Sequence, residues 1–424
     1  MGTALCGVLG TAVAVPFGAF AQEDDRGGMR FQLRLGERLR FRDRKSPEPA
    51  EDGTHSSVTT DVGIAFSSET RTEAVSLDFG TGYSLVDGPT TDGYEGRFSD
   101  PTLSLSYSQD TAASRLSVTA TASSVHLSDV SALDVSTAED EIVPVDFAAL
   151  TDVGTRQQLG FDARLSLRRD APFGLILGVG ANAISYADLP AGSSLRDRTG
   201  LQLTATGRFD VTKVLQVRAG LQYDHIDKDG AENVDRLGVK AQAVLSRPDG
   251  NYRVWGNIAD GDGGGQVALS MGRRYELPDT VADIAFGVTR ATTEEFVLTG
   301  SALYERGFGP ESALGTLSAK ADRDLSFASG SDEELVTSLS LASGYALTPL
   351  ANLQVSAKVG QAENLATGGT VDLAQAGVSV RYDFDRNWQA SAGISAEMRD
   401  ASDEAPSEST TLSLGITRSF DLRR

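Results

Sequence analysis

The stretch TLSLGITRSFDL, Thr411 to Leu422, holds two residue classes in alternation. Leu412, Leu414, Ile416, Phe420 and Leu422 share one parity, and Thr411, Ser413, Gly415, Thr417 and Ser419 share the other. Successive side chains of a strand point to opposite faces, so the stretch reads as a β-strand with one apolar and one polar face. The preceding segment repeats the pattern: Trp388, Ala390, Ala392, Ile394, Ala396 and Met398 alternate with Gln389, Ser391, Gly393, Ser395, Glu397 and Arg399. Many such segments run ten residues or more, which exceeds the roughly five to six residues of a soluble strand and suits a tilted strand that crosses a bilayer.

Working back to Met29, the same alternation recurs about twenty times, within a range of roughly sixteen to twenty-two given the uncertainty of strand ends. Short connections rich in Pro, Gly and Asp follow even-numbered segments: Arg247-Pro248-Asp249, Leu277-Pro278-Asp279, Thr348-Pro349 and Asp385-Arg386. Longer gaps follow most odd ones, notably 42–54, 85–97, 128–154, 187–197 and 324–332. An all-β fold is expected: a single transmembrane antiparallel up-and-down β-barrel over residues 29–424, with an even strand count and both termini on the short-turn side. Aromatic residues gather near the strand ends. Phe66, Tyr107, Phe173, Phe209, Tyr252, Trp255, Tyr275, Tyr304, Phe308, Tyr345, Phe384, Trp388 and Phe420 lie towards the short turns, and Phe41, Tyr83, Tyr186, Tyr223 and Phe296 towards the long gaps. Two such bands are expected to form girdles at the membrane interfaces.

Composition agrees with this reading. The 424 residues carry a formal charge of −21, which argues against a nucleic-acid partner. Mean hydropathy is −0.18, and from Gln22 onward no apolar run is long enough for a membrane helix. Residues 1–21 read as a secretory signal: an apolar stretch from Ala4 to Phe20 ends in Ala19-Phe20-Ala21, a small-residue cleavage pattern. Residues 22–28 then form a short periplasmic segment, and the sole cysteine, Cys6, lies in the part expected to be removed.

At this point the chain resembles Gram-negative outer-membrane β-barrel proteins of the porin-like, alphaproteobacterial type, over about Arg26 to Arg424. The resemblance rests on the strand pattern and on the segments TEAVSLDF at 72–79 and RSFDL at 418–422. It implies that Leu412, Leu414, Ile416 and Phe420 form a C-terminal assembly signal read by the barrel-insertion machinery. It also implies outer-membrane lipid and lipopolysaccharide as partners, with further copies of the chain in a homo-oligomer as an open option. In general porins the third long loop folds into the barrel. The corresponding gap here carries Asp129, Asp134, Glu139, Asp140 and Glu141, the candidates for a constriction.

The polar parity carries charge. Charges on the lipid side of a membrane strand are costly, so they are expected to face a lumen. The lumen-lining candidates are Arg30, Arg34, Arg38, Arg164, Arg168, Arg208, Arg218, Arg274, Lys358 and Arg381. The leading expectation is a passive channel for small hydrophilic solutes. The alternative is a structural or surface-interaction barrel with a closed lumen. An outer-membrane hydrolase ranks last, because His55, His126 and His225 sit in no catalytic motif. No cofactor-binding or metal-ligating pattern is visible.

Overall fold

A computed structural model describes residues 28–45, 52–89, 93–127, 154–189, 195–230, 233–262, 264–290, 296–309, 314–329, 332–365, 367–402 and 405–423. Among these, twenty strands follow one another in a single sheet. Those used below are β1 (Met29–Lys45), β2 (Gly53–Glu69), β3 (Glu73–Asp87), β6 (Thr155–Leu167), β7 (Phe173–Ala187), β8 (Arg198–Asp210), β9 (Leu215–Lys228), β10 (Val234–Arg247), β11 (Gly250–Gly261), β12 (Gln266–Leu277), β13 (Thr280–Arg290), β14 (Phe296–Phe308), β15 (Gly315–Ser329), β16 (Asp332–Thr348), β19 (Trp388–Ala401) and β20 (Ser407–Arg423). Each strand pairs antiparallel with its neighbour in sequence. β1 pairs with β20 from Arg30↔Arg423 to Lys45↔Glu408, and that last ladder closes the barrel. Closure leaves no unpaired edge, which a strand surrounded by hydrocarbon requires.

The register separates the two parities into a convex and a concave face. Leu39, Leu414 and Ala392 are successive cross-strand partners, and so are Phe41, Leu412 and Ile394. These apolar side chains are exposed, Leu414 at 42 % and Ile394 at 54 %. On the other face Thr59 and Ser84 are 2 % exposed and Ser99 is 1 %. Closing a sheet crowds side chains on the inside and splays them outside, so the polar face is the concave one. Among the described residues the exposed apolar side chains recur on most strands of the barrel, and a surface of that kind is built for a lipid environment.

The ends are asymmetric, as the connection lengths require. Short turns are closed by hydroxyl or carboxylate side chains that accept from the next strand: Thr111 from Ser114 N at 3.0 Å, Thr212 from Leu215 N at 3.0 Å, and Asp385 from Asn387 N at 2.7 Å and Trp388 N at 2.9 Å. Threonine thus shares the turn role expected of Pro, Gly and Asp. In the Pro248-Asp249 turn, Gly250 takes φ +129, and a Cβ there would sit 2.0 Å from the Arg274 carbonyl oxygen.

One expected loop is mostly strand. The gap 324–332 closes to a hairpin in which pairing runs on through Leu325↔Leu335 to Ser329↔Asp332. The two acids at the start of the returning strand are buried, Glu333 at 1 % and Glu334 at 3 % exposed. Residues 1–21, expected to be a signal, and most of residues 22–28 lie outside the described residues.

Candidate functional site

The concave wall is the candidate site, and β1 shows how it is built. Phe31, Leu33, Leu35, Leu39 and Phe41 lie on the convex parity, so the alternation sends Arg30, Arg34 and Arg38 to the concave face. Arg38 pairs with Asp61 of β2. Arg34 reaches further. Its direct partner on β2 is Gly63, whose own partner on β3 is Gly80. The guanidinium crosses β2 above Gly63 and pairs with Asp78, two residues before Gly80. The same device recurs on β11. Arg253 lies opposite Gly272, Gly272 lies opposite Ala285, and Arg253 pairs with Asp283, two residues before Ala285. Arg274 contributes from the same patch, donating to Glu276 at 2.7 Å and standing 3.8 Å from Asp283.

A second patch is less neutralised. Arg208 of β8 crosses β7 above Gly174, where a Cβ would lie 3.3 Å from its guanidinium carbon. It donates to the carbonyl oxygens of Arg169 at 2.7 Å and Ala171 at 2.8 Å, which clamps the β6–β7 turn. Its cross-strand partner on β9 is Arg218, whose Nε donates to Gln216 at 2.8 Å. Arg164 of β6 acts electrostatically on the same Arg218 guanidinium. Among the described residues, the one carboxylate within 4.0 Å of this trio is Asp210, 3.4 Å from Arg208. Arg381 stands 3.8 Å from Asp383, and Lys358 takes a concave position opposite Ser340.

Three expectations need correction. Arg168 is not in the lumen wall: the strand ends at Leu167, and Arg168 takes φ +55, so alternation no longer governs it. Its guanidinium lies 5.8 Å from the ring centre of Phe173 on the convex side. Trp255 does not join the girdle. It has concave parity and lies under Arg253, 5.5 Å from ring centre to guanidinium. Tyr186 is concave too, with its hydroxyl 3.5 Å from Arg198. Position near a strand end was read without parity in both aromatic cases. Arg253, Asp283, Asp61 and Asp78 were missed as wall residues, and the glycines on the polar parity between the partners are the signal that could have found them.

The long-loop end of the lumen is crowded. Arg44, Arg156, Arg198 and Glu334 all have concave parity and are 3–5 % exposed. The constriction candidates Asp129, Asp134, Glu139, Asp140 and Glu141 lie outside the described residues. The histidines stand apart on different strands. His126 contacts Thr155 at 3.2 Å, and His225 contacts Asp235 at 2.8 Å on the convex face, away from the concave Asp224. The residues expected to form an assembly signal line the convex face of the closing ladder: Leu412 against Phe41, Leu414 against Leu39, Ile416 against Glu37 and Phe420 against Leu33.

The fold and wall define a class, the closed twenty-stranded antiparallel β-barrel with an apolar outer band and a charged lumen. No family model matches the chain, and no curated protein does. Solved structures of similar architecture include Pseudomonas aeruginosa OpdK, crystallised with vanillate, at 13% identity and a TM-score of 0.42, covering 92% of this chain and 99% of that one. Pseudomonas aeruginosa OccK7 (OpdD) is similar at 11% identity and a TM-score of 0.42, covering 94% and 100%. The ferric-catecholate import receptor Fiu of E. coli K12 is similar at 10% identity and a TM-score of 0.48, covering 94% and 82%.

Proposed function

We propose that the chain is a channel of the Gram-negative outer membrane, exported with a cleaved signal peptide, through which small hydrophilic solutes diffuse passively and anions are favoured. The observation that carries this reading is the concave trio Arg164, Arg208 and Arg218, with Asp210 as its one close carboxylate among the described residues. Three other wall arginines are matched, Arg34 by Asp78, Arg38 by Asp61 and Arg253 by Asp283. A fixed, unmatched charge in a low-dielectric wall attracts its counter-ion and repels its like. The protein reconstituted in a planar bilayer gives discrete conductance steps, and under a salt gradient its reversal potential takes the sign of anion preference.

The burial of Arg44, Arg156 and Arg198 at the long-loop end supports a second reading, a structural barrel whose lumen is closed there. No conductance at any voltage refutes the channel and leaves that reading.

A further inference from the structure

The convex face carries a set of arginines that the lumen does not use. Arg418 of β20 lies 5.1 Å from the ring centre of Trp388 and 4.5 Å from that of Phe420. Arg306, near the end of β14, lies 5.7 Å from Phe308. Arg168, in the β6–β7 turn, lies 5.8 Å from Phe173. All three sit at the short-turn end of their strands and belong to the outer surface, because the rings they stack on have convex parity. Among the described residues none of the three has a carboxylate within 4.0 Å. A fourth convex arginine, Arg273, stacks between Tyr252 and Tyr275 and is matched by Asp249 at 2.6 Å. At the opposite rim the convex cation Lys45 is matched as well, with Glu408 at 3.4 Å.

We infer that Arg168, Arg306 and Arg418 bind the phosphate headgroups of anionic phospholipids in the leaflet that surrounds the short-turn rim. The inference rests on the membrane reading of the convex face. The rings hold each guanidinium at the interface by cation–π attraction, and its N–H edge remains available for a second partner. A guanidinium presents its donors as a planar fork that matches a phosphate oxygen pair. Anionic lipid headgroups supply the missing negative charge at that depth, where an aromatic band marks the boundary between hydrocarbon and water. A carboxylate of a protein partner would satisfy the same fork, but three sites spread over β6, β14 and β20 surround the barrel, and only the lipid annulus reaches them all.

The test uses the whole protein folded into nanodiscs of phosphatidylethanolamine with a minority of phosphatidylglycerol. After gentle extraction, native mass spectrometry counts the retained lipids. The wild type retains phosphatidylglycerol above its share of the bilayer. Each of Arg168→Gln, Arg306→Gln and Arg418→Gln weakens retention at its own site about fivefold, the effect of one interfacial charge, so each single variant loses most of one of the three retained lipids and the triple variant loses all three. Arg418→Lys keeps the charge but loses the fork and falls between wild type and Arg418→Gln. Heat-modifiable migration reports folding of every variant. Wild-type retention that follows bilayer composition overturns the inference, and so does a folded triple variant that retains phosphatidylglycerol as the wild type does. Failure of the wild type to fold into any bilayer overturns the membrane reading itself.

Discussion

The Arg34 guanidinium pairs with Asp78 two strands away because Gly63 stands between them without a side chain. A Cβ at Gly63 would lie 3.3 Å from Arg34 Nε and 3.5 Å from Arg34 Cβ. The three residues are one unit: an arginine, a glycine opposite it and an aspartate two positions before the glycine's next partner. Arg253, Gly272 and Asp283 repeat its register, with the Trp255 ring standing over the glycine. A glycine that would only weaken an ordinary strand here lets two non-adjacent strands share an ion pair.

Gly63→Val therefore overfills the crossing. The arginine must leave Asp78 or the strands must shift, at a cost of about 1–3 kcal/mol. Gly63→Ala needs a shift of only a few tenths of an ångström and changes little. The midpoint of urea unfolding in detergent, read as loss of heat-modifiable migration, falls for the valine variant and stays near wild type for the alanine variant.

Matched and unmatched wall charges are separable in a bilayer recording. Arg34→Gln with Asp78→Asn removes a neutral pair and leaves the reversal potential under a salt gradient near wild type. Arg164→Gln with Arg218→Gln removes two cations that have no close carboxylate among the described residues, and the reversal potential moves towards cation preference. Equal shifts from both double variants would place the anion-favouring field somewhere other than the Arg164–Arg208–Arg218 patch.

Most of the fold is legible in the sequence because the signal is local. Parity along one strand assigned Arg30, Arg34, Arg38, Arg164, Arg208, Arg218, Arg274, Lys358 and Arg381 to the concave face without any knowledge of register. Where the backbone leaves extended geometry, parity carries no information, and Arg168 at φ +55 is the result. Partnership is not local either. Which carboxylate meets Arg34 depends on the stagger of β1, β2 and β3, and a shift of one residue would exchange Gly63 for a side chain on the other face. The gap read at 324–332 misled for a different reason: ladder pairing there continues through Leu325↔Leu335 to Ser329↔Asp332, and how far a hairpin stays paired beyond its alternating residues is not written in the pattern of either strand.

The chain's two tryptophans report the two faces independently. Trp255 is concave and Trp388 convex, beside Arg418. In vesicles, water-borne iodide quenches the emission that Trp255→Phe removes. Brominated acyl chains quench the emission that Trp388→Phe removes. Lipid quenching of Trp255 would invert the assignment of faces.

Phe420 lies on the convex side of the strand that closes the barrel, opposite Leu33 and 4.5 Å from the Arg418 guanidinium. Phe420→Ala removes an interfacial contact worth about 1 kcal/mol, which alone would leave a folded barrel. A drop in outer-membrane level beyond that modest loss of stability is the expected mark of an assembly signal. Membrane levels and heat-modifiable migration equal to wild type would remove Phe420 from that role.

Glu37 is the ninth of the 17 residues of β1 and has convex parity, where its neighbours Leu35 and Leu39 are exposed at 40 % and 41 %. A carboxylate on the lipid face is costly, though less so than the about 2–4 kcal/mol of a midplane arginine or lysine. Its compensation is Thr60 of β2, the direct cross-strand partner, whose hydroxyl donates to the carboxylate oxygens at 2.9 and 3.1 Å. Two substitutions separate the charge from its donor. Glu37→Leu removes the desolvated group and stabilises the barrel by roughly 1–2 kcal/mol, within the lipid-face penalty for an acid. Thr60→Val in the wild type strips the carboxylate of its donor and destabilises by about 1–3 kcal/mol, the cost of an unsatisfied polar group. In the Glu37→Leu background the same Thr60→Val change meets no carboxylate, and a valine between Val58 and Val62 extends the apolar band, so its sign reverses. Urea midpoints of the four proteins form a double-mutant cycle whose interaction energy measures the Thr60–Glu37 contact directly. An interaction energy near zero would mean that the Glu37 carboxylate reaches water at the interface by another route and that the hydroxyl contributes nothing to its solvation.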